Sequence, residues 1–217
     1  MMEFLEELER DVHPLYLKLR EHPFNVELAA GNLPEEKFRF YISQDVFYIG
    51  EYSRALAALA SIAPSHEELM EFISFAKEGL EIERALHSGF MESFNIAYPK
   101  EIALATEAYA NFLLASVAYK SYAEAIAGLL PCFWLYNKVA VHIYSIANKE
   151  NKYQKWIDTY AGAEFDKTTS RLKEITQRIA HENNQSLQNK MKNQFMRSAK
   201  YEWLFWESAY KLIWFLP

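Results

Sequence analysis

The stretch PEEKFRFYISQDVFYIGEYSRALAALASI, residues 34–62, decides the fold class. Its large apolar side chains recur every three or four residues, which is the spacing of one face of an α-helix and not the alternation of a β-strand. Pro34 favours a helix start, because its fixed φ suits the first helical turn. We therefore predict one long helix over these residues.

The same helical period recurs through most of the chain. With Gly 6 and Pro 7 in 217 residues, few positions favour turns, so the elements must be long. The predicted helices cover residues 3–20, 34–62, 66–94, 101–118, 122–147, 152–160, 164–180 and 186–214. Residues 22–24 are predicted to be a break between helices. No segment offers a convincing strand, so we predict an all-α fold in a single domain over residues 1–217.

The composition argues against several classes of partner. Lys+Arg 23 against Asp+Glu 29 gives a formal charge of -6, without the basic block that nucleic-acid phosphates require. The longest wholly apolar stretch, residues 125–136, is shorter than the ~20 residues that span a bilayer. A single cysteine forms no intrachain disulfide, and the acidic start does not resemble a secretory signal. We expect a cytoplasmic protein that binds neither nucleic acid nor membrane.

Asp45 is an acidic residue on an aromatic helix face. Phe38, Tyr41, Tyr48 and Tyr52 lie three or four positions apart and share that face with it. A carboxylate among such neighbours is costly to bury unless it has a partner. The spacing leaves two alternatives: Asp45 turns aside and pairs with an arginine, or it binds a polar ligand.

Glu202 repeats this pattern near the end of the sequence. It shares a helical stripe with Phe195, Ala199 and Trp206, so its neighbours are again large and apolar. Such surroundings disfavour the charged form and suit a carboxyl group to proton transfer near neutral pH. The alternative is a surface glutamate beside an aromatic face.

Cys132 directly follows Pro131 inside a predicted helix. Proline in a helix interior removes a hydrogen-bond donor and clashes with the preceding turn, at a cost of ~3 kcal/mol, so we expect a kink here. A lone cysteine in a core is commonly inert filling, and no basic residue adjoins this one to activate the thiol. Periodicity alone therefore favours a packing role for Cys132.

Taken in order along the chain, the segments that carry these residues resemble the TenA family, also called thiaminase II. The matching motifs are His22-Pro23-Phe24, Gly31-x-Leu33-Pro34, Tyr41-Ile42-x-Gln44-Asp45 with Tyr48, Tyr109, Leu129-Leu130-Pro131-Cys132-x-Trp134-x-Tyr136, Trp156-Ile157-x-Thr159-Tyr160 and Tyr201-Glu202-x-x-Phe205-Trp206-x-x-Ala209-Tyr210. Each motif is weak alone. Their order, with the cysteine and both acids on motif positions, makes the resemblance specific and outweighs the packing alternatives.

The resemblance implies a heme-oxygenase-like helical bundle that assembles as a homotetramer and needs no metal or organic cofactor. It also implies hydrolysis of pyrimidines of the thiamin pathway. Thiamin is split into hydroxymethylpyrimidine and thiazole, or the breakdown product aminomethyl-aminopyrimidine is deaminated to the same hydroxymethylpyrimidine in a salvage reaction. By resemblance, Cys132 is the nucleophile of a covalent pyrimidine intermediate, Glu202 is the acid/base, and Asp45 is a further catalytic residue that also binds the substrate.

The chemistry of an aminopyrimidine explains these residue types. Asp45 accepts a hydrogen bond from the exocyclic amino group, and aromatic side chains hold the flat ring. The aromatic candidates are Phe47, Tyr48, Tyr109, Tyr136 and Tyr160. Phe47 stands where some relatives carry tyrosine, which removes one hydrogen bond worth ~0.5–1.5 kcal/mol. We expect the thiol and both acids to border one cavity.

Two other functions stay open from the sequence. A two-metal oxidase of the same bundle fold draws on Glu-x-x-His pairs, and none of the 6 histidines has an acid three positions earlier. Glu83 and His87 are four apart, which fits an intrahelical charge pair. A non-catalytic pyrimidine binder or regulator keeps most of the same pocket residues. The apolar segment 211–217 packs either on its own helices or on a sister subunit.

Overall fold

The computed structural model describes residues 3–94, 96, 99–148 and 150–215, and residues 82–88, 92 and 93 by their backbone alone. Every regular element in these ranges is an α-helix. The elements are α1 (Phe4–Arg20), α2 (Pro23–Ala30), α3 (Glu35–Ser61), α4 (His66–Ser93), α5 (Leu104–Tyr119), α6 (Tyr122–Ile146), α7 (Gln154–Tyr160), α8 (Ala163–His181) and α9 (Gln185–Lys211). The all-α prediction is confirmed, and the predicted helix ends agree to within three residues.

Helix α2 corrects the predicted break at residues 22–24. Pro23 stands at the start of this helix, where a missing N–H costs nothing, so the proline begins an element and does not end one. The His22 Nδ1 atom accepts a hydrogen bond from the Phe24 N–H at 3.2 Å and caps the helix. The helix ends at Gly31, whose φ of 75° is the left-handed conformation that glycine adopts without strain.

The chain divides into two compact units, each formed by two stretches of sequence. The first comprises Met1–Leu33 and Ala123–Trp203, and the second comprises Pro34–Tyr122 and Leu204–Pro217. Helix α9 therefore contributes residues to both units. The expectation of a single domain stays a prediction.

The first unit is held together by aromatic contacts and by hydrogen bonds from one buried asparagine side chain. The Trp134 ring of α6 packs on the Phe195 ring of α9, with their centroids 5.5 Å apart. Asn151, in the loop before α7, donates from Nδ2 to the carbonyl oxygens of Leu28 and Ala29 at 2.7 and 3.0 Å. These bonds satisfy carbonyl groups at the end of α2 that have no partner within the helix.

In the second unit, α3 packs against α4 and α5. The Ser65 hydroxyl accepts the Glu68 N–H at 3.2 Å, which is the N-terminal cap of α4. The buried Glu68 carboxylate in turn accepts a hydrogen bond from the Tyr122 hydroxyl at 2.5 Å. This hydrogen bond joins the start of α4 to the start of α6 and satisfies a buried carboxylate.

The apolar C-terminal segment packs on its own unit. Helix α9 ends as Leu212 turns into the left-handed region at a φ of 55°. The Trp214 carbonyl then accepts the Leu104 N–H at 2.8 Å, and the Trp214 ring packs on Phe40 with centroids 4.7 Å apart. Trp214 thus follows the first of the two alternatives for this segment, whereas Phe215 is 72% exposed and residues 216 and 217 lie outside the described residues.

Helix α6 continues without interruption through Pro131. It is the one described helix that is long and apolar enough to cross a membrane by length and composition, and 78% of its most apolar window is buried inside the protein. A buried core helix of a soluble protein passes the same test, so this helix is weak evidence for a membrane span.

Candidate active site

Cys132 is the exception in a buried stretch of α6. From Ala125 to Asn137, all within the described residues, every position is buried except Cys132, which is only partly buried. A cysteine that merely fills a core is expected to be fully enclosed. The accessibility of Cys132 therefore favours a chemical role over a packing role.

Two predicted aromatic residues lie together in the first unit. Tyr136 follows Cys132 by one helical turn on uninterrupted α6, so both side chains leave the same helix face. The ring centroids of Tyr136 and Tyr160, at the end of α7, are 5.5 Å apart, and the two ring planes differ by 59°. Trp156 lies one turn before Tyr160, and the ring centroids of these two residues are 4.9 Å apart. The result is a buried aromatic group whose members include Tyr136 and Tyr160.

Glu202 is a buried acid, not a surface one. Its side chain is 1% exposed on α9, within the part of this helix that belongs to the first unit. Phe195 and Ala199 on the same helix are fully buried. The alternative of a surface glutamate is therefore wrong. The Glu202 carboxyl group is enclosed by the protein, as the prediction of an acid/base residue requires.

Asp45 and two of the predicted tyrosines belong to the second unit. Asp45 is 3% exposed, and Tyr48 and Tyr109 are 3% and 1% exposed. Asp45 and Tyr48 are three residues apart on α3 and share one helix face. The aromatic face on which the sequence placed Asp45 is therefore buried, as expected.

The Tyr48 and Tyr109 rings stack on each other. Their centroids are 4.8 Å apart and their planes differ by 28°. A third ring inserted between them needs ~7 Å, since each stacked contact takes about 3.5 Å. There is therefore no room for a ligand ring between the two tyrosines. A flat ligand that contacts this pair has to lie against the ring edges or against the face of one ring that points away from the other. The Phe205 ring also packs on Tyr48, with the two ring centroids 5.5 Å apart.

Phe47 is not brought to the Asp45 face. It lies two residues after Asp45 on α3, which places it about 200° around the helix axis. Its side chain is only partly buried, whereas Asp45 and Tyr48 are buried. A role for Phe47 in the site stays a prediction that this helix geometry does not support.

The structure adds two residues that the sequence analysis named only inside motifs. Gln44 is 1% exposed, and its side-chain oxygen accepts the Ala103 N–H at 2.8 Å, which fixes the start of the helix that carries Tyr109. Trp156 is fully buried beside Tyr136 and Tyr160. The sequence signal available for Gln44 was its position directly before Asp45 on the predicted helix.

Charged residues pack on the side of α6 that carries Trp134. Trp134 is two residues from Cys132 and so lies on the opposite face of the helix. The Lys173 Nζ atom lies 4.5 Å from the centre of its ring. Burial lowers the pKa of Lys173, and Lys138 adds to this lowering. This cation–π contact adds to the packing of Trp134 against Phe195 of α9.

Metal ligands do not cluster in the described part of the chain. No three His, Cys, Asp or Glu side chains described there lie close enough to hold a metal ion together. The side chains of Glu83 and His87, the pair considered for a metal oxidase, lie outside the described residues. The described side chains thus offer no ligand set on which to build a two-metal proposal.

A separate groove of about 300 Å³ lies in the second unit. Its lining comprises Glu36, Arg39, Phe40, Ser43, Ile96, Leu212 and Trp214. None of the eight predicted site residues contributes to it. The expectation that Cys132, Asp45 and Glu202 border one cavity stays a prediction.

These features define a class: an all-α protein whose described residues include a partly accessible cysteine and two buried carboxylic acids. The chain belongs to the TENA/THI-4/PQQC family, whose sequence profile matches residues 9–212. A solved structure described as "TenA homologue protein from P.horikoshii OT3" superposes with a TM-score of 0.87 at 28% identity, covering 97% of this chain and 99% of that one. The resemblance to TenA proteins and the TenA-like fold are both confirmed.

Two curated relatives carry names from thiamin metabolism. The aminopyrimidine aminohydrolase of Bacillus subtilis is 30% identical over 194 residues, which cover 88% of this chain and 82% of that protein. The thiamine biosynthesis multifunctional protein ThiED of Corynebacterium glutamicum is 38% identical over 142 residues. The match to ThiED covers 65% of this chain but only 18% of ThiED.

Proposed function

We propose that this protein is an aminopyrimidine aminohydrolase that releases hydroxymethylpyrimidine from aminomethyl-aminopyrimidine or from thiamin. The observation that carries the proposal is the partly accessible thiol of Cys132 in a buried stretch of α6. The names of the relatives at 30% and 28% identity, from Bacillus subtilis and Helicobacter pylori, support the same reaction class.

Cys132 acts as the nucleophile in this proposal. Water adds poorly to an electron-poor pyrimidine, whereas a thiolate adds readily and divides one hard substitution into easier steps. The sulfur forms a bond to a ring carbon, and the displaced electron pair goes to a ring nitrogen that takes a proton. The bond to the leaving group then breaks, so that ammonia or the thiazole departs.

Glu202 moves the protons. It relays the thiol proton to the ring nitrogen as the carbon–sulfur bond forms, and this proton passes on through Glu202 to the amine when that group departs. The Glu202 carboxylate then takes a proton from the water that attacks the exocyclic carbon and returns it to the sulfur at the last step. When the carbon–sulfur bond breaks, the thiol is restored and hydroxymethylpyrimidine is released. For the amine substrate, one water enters and one ammonia leaves, so the reaction balances without a cofactor. The burial of Glu202 supports this role.

Asp45 recognises the substrate. Its carboxylate accepts a hydrogen bond from the exocyclic amino group, and because it is 3% exposed this bond forms with little competition from water. Tyr48 and Tyr109 form a stacked wall against the flat ring, and Tyr136 and Tyr160 provide hydroxyl groups and aromatic surface. We assign Phe47 no hydrogen bond, since phenylalanine has none to offer.

We also propose a cytoplasmic homotetramer. Two exposed apolar residues of α6, Val141 and Tyr144, are three positions apart and share a helix face, which supports association with a further copy of the chain. Light scattering of the purified protein is expected to give four times the 25.4 kDa chain mass. The mass of a monomer would contradict this part of the proposal.

The proposal is tested by giving the purified protein aminomethyl-aminopyrimidine and thiamin in separate assays and following hydroxymethylpyrimidine by chromatography. We expect turnover of at least one substrate, and Cys132→Ala should lower kcat by about 10³-fold or more. Ser145→Ala, an exposed position on the same helix, is the control and should act as wild type. Calorimetric binding of hydroxymethylpyrimidine without turnover of either compound would indicate a binding protein. A fully active Cys132→Ala variant would exclude the proposed nucleophile.

A further inference from the structure

Helix α9 carries a line of buried polar side chains that ends at Glu202. Gln194, Ser198 and Glu202 are spaced by four residues and therefore lie one above another on a single face of the helix. They are 6%, 0% and 1% exposed. Buried polar groups are costly unless they are hydrogen-bonded, so three in succession call for a connected arrangement.

Side chains on a helix lean toward its N-terminus. The Glu202 carboxyl group therefore leans over the turn that contains Ser198, and Ser198 leans toward Gln194. The Cβ atoms of residues four apart are about 5–6 Å from each other, a gap that a serine and a glutamate side chain span with one hydrogen bond. Ser198 is thus the residue of α9 best located to donate to the Glu202 carboxylate.

Gln194 supplies an independent observation. Its side-chain oxygen is buried and accepts no hydrogen bond from the described residues. A buried acceptor of this kind commonly holds an ordered water. A water that donates to Gln194 Oε1 and to Ser198 Oγ leaves the Ser198 hydroxyl hydrogen directed at Glu202.

We propose that Ser198 is a positioning residue for Glu202, with a buried water held between Ser198 and Gln194. The proposal rests on the proposed function, since it concerns the acid/base of that reaction. The Ser198 hydroxyl holds the Glu202 carboxylate in one orientation between its two proton transfers. Gln194 fixes the direction of the Ser198 hydroxyl through the water.

The test compares Ser198→Ala with a matched substitution elsewhere. Ser116 is also a buried serine inside a helix, but its hydroxyl donates to the Phe112 carbonyl of its own helix at 2.7 Å. Steady-state kinetics with aminomethyl-aminopyrimidine and thermal unfolding are measured for wild type, Ser198→Ala, Ser198→Thr, Ser116→Ala and Gln194→Met. We expect Ser198→Ala to lower kcat about tenfold with KM within about twofold of wild type, because a hydrogen bond to a charged group is lost.

Ser198→Thr keeps the hydroxyl and should recover most of the lost kcat, while Gln194→Met should lower kcat about two- to threefold. Ser116→Ala should leave both constants unchanged. A Ser198→Ala kcat within twofold of wild type, or a loss that appears in KM alone, would overturn the proposal. So would a correctly folded Ser198→Thr as slow as Ser198→Ala. Absence of turnover by wild type would instead overturn the proposed function, and the role of Ser198 with it.

Discussion

The two compact units of the chain carry different kinds of predicted site residue. The first contains Cys132 and Glu202, the groups that make and break bonds in the proposed reaction. The second contains Asp45, Tyr48 and Tyr109, to which the proposal assigns recognition of the flat ring and its amino group. Tyr136 and Tyr160, also proposed to bind the substrate, belong to the first unit. Substitutions of Cys132 and Glu202 should act mainly on kcat, and substitutions of the recognition residues of the second unit mainly on KM.

The largest effect that sharpens this comparison is expected at Glu202. Glu202→Gln keeps the size of the side chain but removes its proton transfer, so kcat should fall by about 10²–10⁴-fold at nearly constant KM. Glu182→Gln is the matched control, since Glu182 is exposed in the first unit and pairs with Arg178. Steady-state kinetics decide the outcome. A Glu202→Gln variant that changes KM alone would contradict the assignment of the bond-making groups to the first unit.

An intermediate effect is expected at Asp45 in the second unit. Asp45→Asn replaces a charged acceptor, whose hydrogen bond is worth ~1.5–3 kcal/mol, with a neutral one, so kcat/KM should fall about 10–100-fold, chiefly through KM. Glu51→Gln on the same helix, where the carboxylate pairs with Arg54, serves as control. If kcat fell while KM stayed constant, Asp45 would belong with the reactive groups.

A smaller effect concerns the stability of the second unit. The Trp214 ring packs on Phe40, so Trp214→Ala should lower the free energy of unfolding by about 1–2 kcal/mol. Phe215, the next residue, is 72% exposed, and Phe215→Ala should change stability little. Urea unfolding measures both. Equal losses in the two variants would show that the C-terminal segment is not held by the Trp214 contact.

The smallest effect is a pH dependence in the first unit. Burial lowers the pKa of His142 from 6.5, and the positive charge of Arg20 lowers it further. Below pH 6.5 the unfolded chain therefore binds a proton more readily at this position, so stability is lost as pH falls through the lowered pKa of the folded state. His142→Gln should lose less stability than wild type between pH 7.5 and pH 5.5 in urea unfolding. The control, His13→Gln at an exposed position, should follow wild type.

Prolines show where sequence rules failed and why. Pro23 was interpreted as a break, but it begins α2, because the first turn of a helix has no use for the missing N–H. Pro131 predicts a kink at a cost of ~3 kcal/mol, and α6 is one continuous helix through this position. Helix α1 also contains a proline, Pro14, in its interior. An interior proline is therefore tolerated in two of the described helices, and Pro131 by itself is not a mark of function.

Motif positions and periodicity gave different predictions for the candidate residues. Periodicity favoured inert packing for Cys132 and left Glu202 undecided, whereas the motif order selected both. The structure then showed Cys132 to be accessible and Glu202 to be buried. Periodicity could not supply either fact, because the exposure of one position depends on which helices cover it and not on its neighbours along the chain.

The sequence by itself determined the all-α class and the approximate helix ends, and it supplied the candidate residues to which the proposal assigns the chemistry. These follow from local spacing, from caps such as Ser65 and from short motifs, all of which act within a few residues. Tertiary structure alone decided that Cys132 is partly accessible, that Tyr48 and Tyr109 stack at 4.8 Å, and that Gln194, Ser198 and Glu202 are all buried. Such features arise from contacts between segments far apart in sequence, whose packing no local pattern encodes.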